Sequence, residues 1–222
     1  MKTRLQQKHV QNKFGYTLKL LSLTAVLLMM SSVFNGVYAQ KKPGGATSKP
    51  EPLKVYENIK LGWGKGRANN PGYISIKNGI LSTYNNIKPS DRETQEMVDV
   101  VFPGDWGSSG GKFTIASPSS VTAGADTEYT KNWQRRRGTQ LSLIRGMDIA
   151  GFEKMKTVPQ LRAFIKSKNL SYDDWFYMPD EGTAFVIKTE DGDIALAFIH
   201  AINGTYGAQG ANVVISFKTI ER

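Results

Sequence analysis

Cysteine is absent from these 222 residues and histidine nearly so, with only His9 and His200. The first absence rules out disulfides. Zinc and other transition-metal sites draw on Cys and His, so a chain with one histidine outside its N-terminal segment lacks their ligand set. Only an all-oxygen calcium site would remain open, and no metal or cofactor is expected. Also missing is a Gly-x-Ser-x-Gly elbow. Ser108 and Ser109 stand in Gly107-Ser-Ser-Gly110, the wrong spacing for an exposed nucleophile beside His200. No Gly-x-Gly-x-x-Gly fingerprint occurs, because Gly62-x-Gly64-x-Gly66 runs into Arg67-Ala-Asn-Asn-Pro-Gly rather than into a helix.

Acid is missing from the first 17 residues, which carry Lys2, Arg4, Lys8 and Lys13. An apolar run from Leu18 to Val33 follows, then Val37-Tyr-Ala39 with small residues at −3 and −1. This is the pattern of a signal peptide, residues 1–39, cleaved after Ala39. The run is about 15 residues, short of the roughly 20 that cross a bilayer, and no Cys follows it to take a lipid. Cleavage removes five of the 29 basic residues and none of the 19 acids, so the net charge falls from +10 to +5. The expected destination is the periplasm or the outside of the cell, where a mildly basic chain meets envelope polymers rather than nucleic acid.

Large apolar residues are absent from residues 40–52, QKKPGGATSKPEP, which reads as a flexible linker. Residues 53–222 then form one domain. Leu53 to Leu61 alternates as a strand, Tyr73 to Lys77 and Ile80 to Tyr84 flank an Asn78-Gly79 turn, and Val98 to Phe102 and Lys112 to Ala116 add two more. Ser119 to Gly138 is polar and reads as an exposed, partly helical excursion. Thr139 to Gly146 adds a strand, and Asp148 caps a short helix. Thr157-Val-Pro-Gln160 is a capping box with Pro in the first turn, opening a helix at about 158–168 with Val158, Leu161, Phe164 or Ile165, and Lys168 along one side.

The C-terminal third carries the densest β signal. Thr183 to Thr189, Asp193 to Ile202 and Asn212 to Ile220 predict a three-strand meander, with Asp191-Gly192 as a type I′ turn. The middle strand is expected to be central, with Ile194, Leu196, Phe198 and His200 on one face and Ala195, Ala197, Ile199 and Ala201 on the other. The fold class is therefore α+β, mainly antiparallel sheet, with the 158–168 helix packed on the meander.

Chemistry-bearing residues are few. Asp99, Asp105, Asp173, Asp174 and Asp180 show no paired motif, and Asp191 and Asp193 belong to their turn. No catalytic residue is assigned. The four tryptophans Trp63, Trp106, Trp133 and Trp175 fall in or beside loops, where flat rings suit the apolar face of a sugar or cover the open end of a core. Arg135, Arg136 and Arg137 form a run suited to a phosphate or carboxylate polymer. These seven are the candidate ligand-binding residues.

Short motifs spread over residues 55–220 resemble a group of uncharacterised exported proteins of Bacteroidota. They are Ile59-Lys-Leu-Gly62, Gly72-Tyr-Ile74, Val98-Asp-Val-Val101, Ala116-Ser-Pro118, Phe152 and the Phe185-Val-Ile-Lys-Thr-Glu-Asp-Gly192 hairpin. Many members of the group carry a lipobox Cys that this chain lacks, and the resemblance brings no catalytic residues with it. The expectation is an exported, non-catalytic binding or interaction protein, with an envelope glycan or anionic polymer as partner. A carbohydrate-active or other envelope hydrolase is the alternative, and a structural component of a surface assembly the second alternative.

Overall fold

The computed structural model describes residues 49–62, 72–80, 87–102, 114–121, 130–177, 180–204 and 210–221. The chain divides into Met1–Ser48 and Lys49–Arg222, and every described residue belongs to the second unit. In chain order its elements are β1 (Lys54–Gly62), β2 (Tyr73–Ser75), β3 (Gly79–Ile80), α1 (Arg92–Met97), β4 (Val100–Val101), β5 (Thr114–Ala116) and β6 (Gln140–Ile144). Then come α2 (Ile149–Lys154), α3 (Val158–Ser167), β7 (Trp175–Tyr177), β8 (Ala184–Lys188), β9 (Ile194–Asn203) and β10 (Asn212–Ile220).

Among the described residues the strands form two antiparallel sheets of five, ordered β1-β10-β9-β8-β6 and β3-β2-β4-β5-β7. The long, β-branched runs of β8, β9 and β10 build the meander, with β9 at the centre of the first sheet. Ile59, Leu61, Phe185, Ile187, Ile199, Val213, Ile215 and Phe217 of that sheet meet Ile74, Val100, Phe102 and Ile115 of the second in one buried core. Phe176 of β7 sets its ring edge against Phe185 of β8, 5.3 Å between centroids. At one corner Leu141 and Asp173 exchange backbone hydrogen bonds of 2.7 and 2.9 Å, stitching the β6 edge to the approach of β7.

On its other face the first sheet is covered by α2 and α3 through Phe152, Val158 and Leu161, against Val186, Leu196, Phe198 and Ile220. The cues in the sequence account for both helix starts. Asp148 accepts from Gly151 N–H at 2.7 Å, and the Gln160 side-chain oxygen accepts from the N–H groups of Lys156 and Thr157 at 2.9 and 3.1 Å. At the end of α2, the buried ammonium of Lys218 donates to the terminal carbonyls, Phe152 O at 2.7 Å and Met155 O at 2.8 Å. Desolvation holds its pKa below the usual lysine value.

Three details differ from the sequence reading. The Asp191-Gly192 turn is not type I′. Gly192 N–H closes on Thr189 O, Thr189 N–H on Asp193 O, and only Gly192 takes a positive φ of 85°, so three residues form the loop. Face alternation along β9 breaks at His200, because Ile215 pairs Ile199 while Val214 pairs Ala201. His200 is the extra residue of a bulge, which returns Ile202 rather than Ala201 to the inter-sheet core. A second bulge interrupts β1 between Tyr56 and Ile59, where Asn58 adopts φ 52°.

Candidate functional site

Of the seven residues singled out by sequence, Trp63 and Trp106 lie outside the described residues. Trp133 is only 8% exposed and packs with Tyr73, Ile87, Val98, Val101 and Ala116 on the outer face of the second sheet. Its ring centroid is 5.4 Å from that of Tyr73, so Trp133 closes a core and presents no free face. Trp175 stands in a strand rather than a loop. The cross-strand register aligns Tyr73, Val101, Ala116 and Trp175 in a single row on that outer face. Trp133 roofs the Tyr73 end, and at the other end Trp175 is half-buried.

Two residues along β7, Tyr177 meets Trp175 edge-on, with centroids 4.5 Å apart and planes at 83°. Tyr177 is 42% exposed. The pair forms a ledge of two perpendicular rings at the margin of the second sheet. Tyr177 is not among the residues that the sequence singles out. The signal was there in Trp175-Phe-Tyr177, whose alternation puts Phe176 in the core and its two neighbours outside.

The arginine run is not a solvated excursion. Arg135 pairs with Glu190, and Gly138 N–H donates to the same carboxylate at 3.1 Å. Arg137, whose side chain is 13% exposed, places Nη2 2.6 Å from Asp191 and Nε 3.1 Å from Asp99, and donates from Nη1 to Glu96 O at 2.9 Å. Arg136 is half-buried beside them. Lys77 in the β2–β3 turn completes the group, 2.9 Å from Asp193. Carboxylates from the β8–β9 turn and from the approach to β4 thus take up the charge of Arg135 and Arg137. The run looked solvated in the sequence because its partners are remote.

Burial dominates at Asp99 and pushes its carboxyl up to about 6, against the pull of the Ile76 N–H and of Arg137. Asp191 is held below the ordinary carboxylate value by its hydrogen bond to Arg137. Lys77 is raised by its hydrogen bond to Asp193. The arrangement suits a junction that ties the β8–β9 hairpin to the second sheet. A carboxylate pair for glycoside hydrolysis must flank an accessible bond, whereas Asp99 and Asp193 are 3% and 1% exposed and face cations.

His200 Nε2 lies 2.8 Å from Ser216 Oγ, and that oxygen accepts from Asn58 N–H at 3.0 Å. Ser216 therefore occupies the gap between the two bulges that flank β10, one in β1 and one in β9. With Ser216 only 4% exposed and its oxygen engaged on both sides, the pair serves as a stitch across three strands. Among the described residues no group of three or more His, Cys, Asp or Glu is placed to hold a metal ion, and no helix is long and apolar enough to cross a membrane.

No protein-family model matches this sequence, and no curated protein matches it significantly. The fold is similar to the solved structure of a DUF4466 family protein from Parabacteroides merdae ATCC 43184, with a TM-score of 0.51 at 14% identity. The likeness covers 77% of this chain and 54% of that one, so this chain spans about half the length of its neighbour. At that identity the similarity is one of fold, and the neighbour comes from a Bacteroidota species and an uncharacterised family.

Proposed function

We propose that this chain is an exported, non-catalytic binding protein of the cell envelope, with the Trp175–Tyr177 ledge as its ligand platform and a glycan as its ligand. One observation carries the reading. Two aromatic rings stand at right angles on the margin of the second sheet, one half-buried for rigidity and the other 42% exposed. Rings fixed in this way offer a sugar an apolar face at little entropic cost. The clustered acids point the same way, because Asp99, Glu190, Asp191 and Asp193 are each engaged by an arginine or lysine away from the ledge. Membership of the uncharacterised exported Bacteroidota group belongs to the same proposal.

The test is a glycan array followed by calorimetry with the best binder, using wild type, Trp175→Ala and Tyr177→Ala. Loss of either ring is expected to weaken binding about tenfold or more, equivalent to ~1.4 kcal/mol. Unchanged affinity in both variants, or no binder on the array, defeats the platform. Export is tested separately by sequencing the N-terminus of protein recovered from the envelope, which is expected to start at Gln40.

A further inference from the structure

Asp99 is charged, buried and stands at a junction of several segments. The β2–β3 turn brings it the Ile76 N–H, 2.8 Å from Oδ2, and Lys77, which faces Asp193. The β8–β9 turn brings Glu190, Asp191 and Asp193, the last two being like charges that act on it directly. From α1 come the Glu96 carbonyl, bound to Arg137, and the exposed Glu96 carboxylate, which pairs with Arg92. The remaining element is the segment Trp133 to Gly138, a strap that supplies Arg135, Arg136 and Arg137. Its backbone is tied at Trp133 N–H to Thr130 O, at Arg135 N–H to Gln95 Oε1, at Arg137 O to Ser117 Oγ and Ser119 N–H, and at Gly138 N–H to Glu190 Oε2. Arg137 is thus divided between a buried carboxylate beside the second sheet and an exposed one in a turn of the first.

We propose that Asp99 is a proton-operated clasp. Ionised, it shares Arg137 with Asp191 and holds the strap across the seam between the sheets. Protonated, it yields Arg137 to Asp191, and the strap loosens while the rest of the fold stays closed.

The proposal makes a specific thermodynamic demand. Burial already makes this carboxyl accept a proton at about pH 6. Taking the Arg137 charge away from a carboxylate that stays buried raises its proton affinity further. The strap-open form therefore binds the proton more tightly than the closed form, and acid favours local opening. Complete unfolding has the opposite sign, because the carboxyl then returns to its ordinary value of 3.8 and acid opposes the transition. An exposed ion pair with a depressed carboxyl would make acid favour both. The strap carries Trp133 over Tyr73, so its release changes the roof of the row that ends at Trp175. The clasp does not depend on what the ledge binds.

The experiment is amide hydrogen exchange on the full chain at pH 7.5 and pH 5, corrected for intrinsic chemistry and read at Arg135 and Gly138. Local opening of the strap is expected to rise about tenfold at the lower pH, the worth of one pKa unit. In Asp99→Asn the strap should exchange at the acid level at both values, with β9 amides reporting that the fold is intact. If Asp99→Asn fails to fold, Arg137→Met replaces it, and the same loss of pH dependence is expected. Strap opening that is flat or lower at pH 5 in wild type overturns the clasp. So does a pH dependence that survives in Asp99→Asn, or one that vanishes only in Asp191→Asn.

Discussion

Lys218 Nζ and the Phe152 carbonyl oxygen are 2.7 Å apart, and the same ammonium lies 4.4 Å from the centroid of the Phe152 ring. A side chain from the last strand thereby caps a helix that starts nearly 70 residues earlier in the chain. Helix ends buried without partners for their carbonyls are costly, and α2 has only six residues with which to stabilise itself. Lys218→Met keeps the apolar stem and removes the donors. It is expected to destabilise the fold by about 2–3 kcal/mol in urea melts. The depressed pKa of Lys218 adds a signature. Wild-type stability should rise as the pH climbs from the folded value toward the unfolded 10.5, and Lys218→Met should lack that rise.

Asp99 gives a pH effect on global stability. Its folded carboxyl is raised from 3.8 to about 6, so its contribution to stability is fully present below 3.8 and is lost as pH rises through 6. The shift corresponds to about 3 kcal/mol at most. Asp99→Asn mimics the neutral acid. It should be more stable than wild type at pH 7.5, with the advantage gone by pH 4. Subtracting the two melts at each pH removes the opposing loss of Asp191, whose depressed carboxyl costs stability as pH falls.

Gly79 closes the β2–β3 turn at φ 80°, and a Cβ there would meet Tyr56 Cε1 at 2.8 Å. Gly79→Ala combines backbone strain with a clash against a ring stacked on Phe217 at 4.6 Å. Thermal melts are expected to show a loss of about 1–3 kcal/mol. A neutral result would show that Tyr56 moves aside.

Leu161 is fully buried where α3 crosses the meander. Helices this short depend on docking more than on propensity. Leu161→Ala should cost about 2–5 kcal/mol. Gln160→Ala, which releases only the Lys156 and Thr157 amides, should cost about 1 kcal/mol. The ratio of the two, read from urea midpoints, separates docking from capping.

The features legible in the sequence were local. Alternating runs marked β1, β6, β8, β9 and β10, Asp148 marked the start of α2, and Gln160 marked the start of α3, because each depends on residues within a few positions. Short apolar runs and the Asn78-Gly79 turn marked β2, β3, β4 and β5 of the second sheet too. Its β7 was hidden, and so was the order of the five strands, which is set by pairing partners far along the chain. The Asp191-Gly192 dipeptide marked the turn correctly, while its type depended on the Thr189 hydrogen bonds.

The candidate site was legible in kind and not in use. Arg137 and Asp191 are 54 residues apart, and nothing in a row of three arginines announces that carboxylates will fold onto it. Trp133 and Trp175 each follow a polar stretch. What separates them is the register of β5 with β7, which leaves one ring at the roofed interior of a row and the other at its rim. The His200–Ser216 contact was hidden because it requires two bulges, and strict alternation does not anticipate bulges.

The bulge at Asn58 also bears on life at high concentration. β1 is the outermost strand of its sheet, and a neighbouring copy seeking to extend that sheet needs a run of evenly spaced amides and carbonyls to match. The left-handed residue at position 58 interrupts the rungs in mid-strand, between Tyr56 and Ile59, and spends an amide inward on Ser216. A second molecule can grip only a few rungs on either side of the kink. The rim is thereby protected from growth into ribbons, even where many copies crowd together.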